Sequence, residues 1–217
     1  ITFLDEMIGQ VLDYLKIAGL RENTLILFTA DHGDLLGDFG TVFKGNHQNA
    51  SVRVPFIISG PGVVKGKLSE ALVGLQDILP TFAEIAGVQL SQPTQGISLL
   101  PILKAPKMKV REFFYSSTAT SYGNTLMVTD GVWKYIYTEA GGVEELYRQP
   151  EDKAEVNNLA RQPGYASQVK WWRNKLRECA REFQDEDVFF GEDLRKKEVD
   201  RESFSRIPVS GMGWRWY

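Results

Sequence analysis

Residue types that handle charged ligands are concentrated in one short part of the chain. Asp31 and His32 are adjacent in "TADHGD", Gly33 and Asp34 follow, and Lys44 and His47 lie just beyond in "KGNHQNASVRVP". An aspartate offers a hard oxygen and a neutral imidazole offers nitrogen, so Asp31 and His32 are candidates for holding a divalent cation. Gly33 lets the backbone bend so that neighbouring side chains converge. Two ligands do not complete a site, because calcium takes about six to eight and zinc about four. The other ligands must come from elsewhere. The same residues also have a use without a metal. Asp31 would cap the next turn, His32 would hydrogen-bond nearby backbone, and Lys44 would be a solvated cation. Asp34 fits a supporting carboxylate or a plain loop residue.

The elements around the cluster decide where it stands. "TLILFT", Thr24 to Thr29, is an apolar run of strand length. In open α/β sheets ligands bind beyond the carboxyl ends of strands, which is where Asp31 and His32 fall. Upstream, Phe3, Leu4, Met7, Ile8, Val11, Leu12 and Leu15 recur at helical spacing, with Gly19 as a stop. A helix followed closely by an apolar strand is half of an α/β unit. "VPFIIS", Val54 to Ser59, predicts a second strand, ended by Gly60 to Gly62. Leu75 to Gly87 predicts a helix with Asp77 as N-cap and a buried face of Ile78, Leu79, Phe82, Ile85 and Ala86. "KAPKMK", Lys104 to Lys109, marks a subdomain boundary. Beyond it "EFFYSS", "TLMVTD" and "WKYIYT" predict a small antiparallel sheet, with a turn at Thr129 to Gly131. Pro163 to about Gln184 predicts a helix whose apolar face is Val169, Trp172, Leu176, Ala180 and Phe183. From Asp185 the chain is charged and irregular. Its terminal aromatics Trp214, Trp216 and Tyr217 suit packing or the lining of a substrate mouth.

Composition narrows the classes. The 217 residues are 43% hydrophobic and 24% charged, enough for a sizeable core. With 25 basic and 28 acidic residues the net charge is −3, which argues against general nucleic-acid binding. No apolar run is long enough to span a membrane. The single cysteine, Cys179, forms no internal disulfide and leaves the redox compartment open.

Taken in order, these segments resemble the sulfatase family of the alkaline-phosphatase superfamily. "NTLILFTADHGDLLGDFG" resembles its strand and metal loop, and Lys44 with "SVRVPFIISGPG" resembles the next block. "LQDILPTFAEIAGV" with "QGISLLPIL" is similar to the following helix and loop. "GVWKYIYT" and "EELYRQPEDKAEVNNLA" resemble the C-terminal subdomain. The resemblance implies an α/β fold, the C-terminal part of an alkaline-phosphatase-like sandwich with a large mostly parallel sheet. A small subdomain of antiparallel strands and a helix would follow. Residues 1–105 would belong to the catalytic α/β domain and 106–217 to the small subdomain with its tail. It further implies that Asp31 and His32 bind a divalent cation, usually calcium, and that Lys44 holds a sulfate oxygen. His47 would line the pocket and protonate a leaving alkoxide. Metal and ammonium would stabilise charge that develops as the S–O bond breaks. The chain departs from the family pattern at Gln48–Asn49, where a Tyr-Glu pair is more frequent, and at Phe39, where histidine is frequent. Arg53, just before an apolar strand, suits a structural contact better than an anion site.

Sulfatases use a formylglycine nucleophile made from cysteine or serine in a C-x-P-S-R type of motif, and the sequence contains none. Cys179 stands in "LRECARE" on the amphipathic helix. The pair of aspartates the family places after its first strand is also absent. The expectation is a C-terminal portion of a longer protein, inactive alone, with formylglycine and further metal ligands in a missing N-terminal half. Such a portion would expose a strand edge and apolar face, so it would associate with itself or with that half. By resemblance the parent would be periplasmic or secreted and would act on a sugar or aryl sulfate ester. A phosphoester or phosphonoester hydrolase of the same superfamily is the nearest alternative. A non-catalytic remnant with a binding or structural role is the other.

Overall fold

The computed structural model describes residues 1–40, 42, 44–120 and 123–199. Trp214, Trp216 and Tyr217 lie outside the described residues. Two compact units divide the chain: Ile1–Phe114 with Thr129–Lys134 and Tyr147–Asn157, and Tyr115–Val128 with Tyr135–Leu146 and Asn158–Tyr217.

The first unit opens with α1 (Thr2–Ile17) and β1 (Ile26–Thr29). Then come α2 (Asn49–Val52), β2 (Phe56–Ser59), α3 (Ile78–Ala86) and α4 (Leu100–Lys104). Gly19 takes a φ of +69° just past α1, and Gly87 a φ of +66° as the left-handed cap of α3. Both glycines end their helices as the sequence predicts. β1 and β2 pair antiparallel, from Ile26 opposite Ser59 to Thr29 opposite Phe56. Among the described residues these two strands form their own sheet, and the expected large parallel sheet is not seen.

Burial in this unit departs from the apolar pattern. The stripe on α1 stays open, with Phe3, Leu4 and Val11 all more than half exposed and no residue of the helix buried. Periodicity sets which face is apolar, but burial needs a partner surface. On α3, Leu79 and Ile85 are exposed, whereas Thr81 is 1% exposed. The Thr81 hydroxyl donates to the Asp77 carbonyl and accepts from the Leu99 N–H, both buried bonds. Asp77 does precede α3, but its carboxylate bonds no amide of that helix. It accepts from the Gly74 and Ile97 N–H groups and from both terminal nitrogens of Arg111. It therefore ties three segments together instead of capping one.

The second unit takes most of a four-stranded sheet in the order β3-β4-β5-β6: Phe114–Thr120, Gly123–Thr129, Trp133–Thr138 and Val143–Arg148, of which Phe114, Thr129, Trp133, Lys134, Tyr147 and Arg148 are counted with the first unit. The links from β4 to β5 and from β5 to β6 are too short for a crossover, so these neighbours run antiparallel. Consecutive residues of β4 and β5 are buried, Leu126–Val128 and Tyr135–Tyr137, so both faces are covered there. Helix α5 (Ala166–Glu182) buries Val169, Trp172, Leu176, Cys179 and Ala180, one apolar face at helical spacing. Two polar anchors join helix and sheet. Arg173 meets the Glu144 carboxylate through two nitrogens at 2.7 and 2.6 Å, and the Tyr135 hydroxyl donates to the same carboxylate. Tyr115 stacks on Phe183 and donates to Asp185. The hairpin β7–β8 (Phe189–Phe190 and Asp193–Leu194) closes the unit.

Candidate active site

Asp31 and His32 leave the carboxyl end of β1 side by side. The Asp31 side chain is 84% exposed and the His32 ring 36%. Their local bonds are well defined. The His32 backbone N–H donates to Asp31 Oδ1, and His32 Nδ1 lies 2.8 Å from the Gly33 carbonyl. A carbonyl can only accept, so Nδ1 carries the hydrogen and, in neutral imidazole, Nε2 keeps its lone pair. That Nε2 lies 3.2 Å from Asp31 Oδ2. The carboxylate oxygen and the ring nitrogen thus face each other where both side chains reach solvent, an arrangement that could hold a cation. An oxygen and a nitrogen at this separation fit neighbouring ligands of one ion bound at about 2.3 Å. Among the described residues no third carboxylate, imidazole or thiolate joins them. The pair therefore suits part of a ligand set.

The loop is held from behind. The Gly33 N–H donates to the Ser51 carbonyl of α2 at 2.7 Å. A Cβ on Gly33 would lie 1.9 Å from the Ala50 carbonyl oxygen, so glycine is needed for close approach and not for an unusual φ. Lys44 is exposed, and Gly45 after it has a φ of +104°. Arg53 is also exposed, and its backbone N–H closes the turn of α2 onto the Asn49 carbonyl. Phe39 has a φ of +57° and is 45% exposed, an apolar side chain with no ligand atom. Asp34 Oδ1 accepts the Leu36 N–H, the behaviour of a loop residue.

His47 is at odds with the general-acid role. It is fully buried at 0% exposure. Burial, helped by the nearby Lys134 ammonium, pushes its pKa down to about 4. A ring with that pKa is neutral near pH 7 and carries no extra proton for a leaving group. Its burial marks it as a packed part of the loop behind Lys44. Cys179 is buried on α5, where burial pushes its thiol up to about 11, so it offers no reactive thiolate near neutrality.

Sequence reasoning missed the polar cluster behind this loop. Lys134, 3% exposed, donates to Glu155 Oε1 at 2.7 Å and to Asn49 Oδ1 at 3.1 Å. Glu155 Oε1 also accepts from Gln149 Nε2, and its Oε2 accepts the Asn49 backbone N–H at 2.6 Å. Asn49 Nδ2 donates to Gln149 Oε1 and to the Lys153 carbonyl. All these residues belong to the first unit. The one available signal was Lys134 itself, a lone cation inside the apolar run "WKYIYT". A buried lysine demands a carboxylate, and removing one member of such a pair costs about 3–5 kcal/mol.

Comparison with known proteins supplies the class and then the family. Residues 1–88 match the Sulfatase family model. The chain is 36% identical over 166 residues to the choline-sulfatase of Rhizobium meliloti (strain 1021), a match covering 75% of this chain and 32% of that protein. The protein BT4656, solved in complex with its substrate D-glucosamine-2-N,6-O-disulfate, superposes with a TM-score of 0.77 at 30% identity, over 84% of this chain and 39% of that one. The phosphonate monoester hydrolase of Silicibacter pomeroyi shares the fold, with a TM-score of 0.75 at 24% identity over 89% of this chain and 42% of that one. The fold is that of the sulfatase-like α/β proteins of the alkaline-phosphatase type. Within that class the chain belongs to the sulfatase family. It spans about a third of the length of the curated relatives it matches.

Proposed function

We propose that this chain carries part of the active site of a sulfuric ester hydrolase. The observation that supports this reading best is the Asp31 Oδ2–His32 Nε2 pair, 3.2 Å apart beyond β1, inside the segment matched by the Sulfatase model. Asp31 and His32 hold a divalent cation, calcium by resemblance, with its other ligands coming from residues outside this chain. Lys44 holds an oxygen of the sulfate group. The bound cation supplies charge stabilisation as the S–O bond breaks. Lys44 adds a fixed ammonium to that field, and its exposure leaves the Nζ open to an anion. The nucleophile, a formylglycine, also lies outside these 217 residues, and the chain alone does not turn over. The expected large parallel sheet is completed in the same way, by strands added beside β1 or β2. The substrate class is a sulfate monoester of a sugar or an aryl alcohol.

A second reading, hydrolysis of a phosphonate or phosphate monoester, draws on the fold shared with the phosphonate monoester hydrolase. Both ester classes present a tetrahedral anion to a cation and an ammonium. The test is turnover of p-nitrophenyl sulfate and p-nitrophenyl phenylphosphonate by the full protein that carries this chain. Sulfate hydrolysis is expected to dominate, to require a divalent cation, and to be lost in Asp31→Ala and Lys44→Ala. Preference for the phosphonate would replace the first reading with the second. Sulfate turnover by the 217-residue chain alone would overturn the placement of the nucleophile outside it.

A further inference from the structure

We infer that Asn49 and Glu155 are positioning residues for the cation-binding pair Asp31–His32, acting through α2. The inference rests on the metal assignment proposed above.

The path is short and made of named bonds. Glu155 uses both carboxylate oxygens, accepting from Lys134 Nζ and Gln149 Nε2 on one and from the Asn49 N–H at 2.6 Å on the other. Asn49 is the first residue of α2, and its side chain is fully committed to Lys134, Gln149 and Lys153. The turn of α2 is thus fixed at its start. Two residues on, the Ser51 carbonyl accepts the N–H of Gly33, the residue directly after His32. The Gly33 carbonyl in turn takes the hydrogen of His32 Nδ1, which sets the ring so that Nε2 faces Asp31. A displacement of α2 would therefore reach the ring through two hydrogen bonds. Gly33 also lies against the Ala50 backbone, so a shift of α2 toward the loop would press on it directly.

Two features set the clamp apart from plain apolar packing. Glu155 adopts a φ of +57°, a left-handed conformation that a non-glycine residue keeps only when its surroundings impose it. The cluster also buries an ammonium and a carboxylate, where an apolar core would serve stability as well. Outer partners that orient a metal-binding histidine commonly change metal affinity by about 10- to 100-fold when removed.

The test is calcium affinity, measured by calorimetry on the full protein that carries this chain, beside its thermal stability. Asn49→Ala is expected to weaken calcium binding by about 10-fold or more. The double variant Lys134→Met/Glu155→Met, which replaces the buried pair by apolar side chains of similar volume, is expected to do the same while keeping the fold. Arg111→Met breaks a different buried ion pair of the same unit and is expected to lower stability with calcium affinity unchanged. Unchanged calcium affinity in Asn49→Ala and in the double variant would overturn the inference. So would a loss in Arg111→Met equal to theirs, since that would reduce the effect to general destabilisation. Asp31→Ala separates the two levels. If it leaves calcium binding intact, the metal assignment itself is wrong. If it abolishes binding while Asn49→Ala does not weaken it, only the positioning role fails.

Discussion

Gly33 and Ser51 join the loop that carries Asp31 and His32 to the single turn of α2 by an N–H···O=C bond of 2.7 Å. The contact tolerates no side chain, because a Cβ at residue 33 would meet the Ala50 carbonyl at 1.9 Å. The clash is with backbone and cannot be relieved by a rotamer change. Gly33→Ala is therefore expected to destabilise the protein by about 1–3 kcal/mol, the usual cost of overpacking. Urea denaturation checks this, and an unchanged midpoint would mean that the loop can lift off α2 freely.

Among the described residues, Asp77 and Arg111 form a second buried ion pair of the first unit, at 0% and 10% side-chain exposure. Asp77 also accepts the Gly74 and Ile97 amides. Asp77→Ala strands a guanidinium and two N–H groups, and the expected loss is about 3–5 kcal/mol. Arg111→Met keeps the two amide bonds and should cost less. Adding Arg111→Met to Asp77→Ala should recover only part of the loss. A double-mutant cycle on denaturation free energies measures this, and full recovery would assign the whole effect to the ion pair.

What was legible in the sequence follows from the range of the forces involved. The α5 face, the glycine stops of α1 and α3, and the placing of Asp31–His32 beyond β1 depend on neighbours within a turn or a strand, so periodicity and local chemistry suffice. The stripe of α1 was legible as apolar, but that it would carry the expected exposed apolar face was not, because that depends on what else is present to cover it. The Asn49–Lys134–Glu155 cluster unites residues from three separate stretches of sequence. No local pattern encodes that meeting, and only the oddity of a lysine inside "WKYIYT" hinted at it. His47 shows the converse case: a polar residue near a candidate site invited a chemical role, and its burial was not legible from the local sequence.

Cys179 offers a direct check that the chain holds no nucleophilic thiol. It is 6% exposed, and burial pushes its thiol up to about 11. Near pH 7.5 both accessibility and thiolate fraction are low. Iodoacetamide is expected to label it slowly in the native protein and rapidly in urea. Cys179→Ala is expected to leave any sulfate-ester turnover of the full protein unchanged. Rapid native labelling coupled to loss of turnover would give Cys179 the role denied to it here.

His47 supplies a signature in the pH dependence of stability. Its pKa falls from 6.5 to about 4 on folding, first through burial and then through the Lys134 charge. Between those values the unfolded chain binds the proton and the folded chain does not. Stability from this residue is therefore fully present above about pH 6.5 and is lost as pH falls toward 4. A shift of this size corresponds to about 3 kcal/mol across the window. His47→Gln removes the titrating group, so its stability should fall less steeply between pH 6.5 and 4.5 than that of the unsubstituted protein. Guanidinium denaturation of both at a series of pH values measures the difference, in which carboxylate titrations common to the two proteins cancel. Parallel slopes would mean that His47 titrates normally in the folded state. That result would reopen it to water and to the proton-transfer role its burial denies.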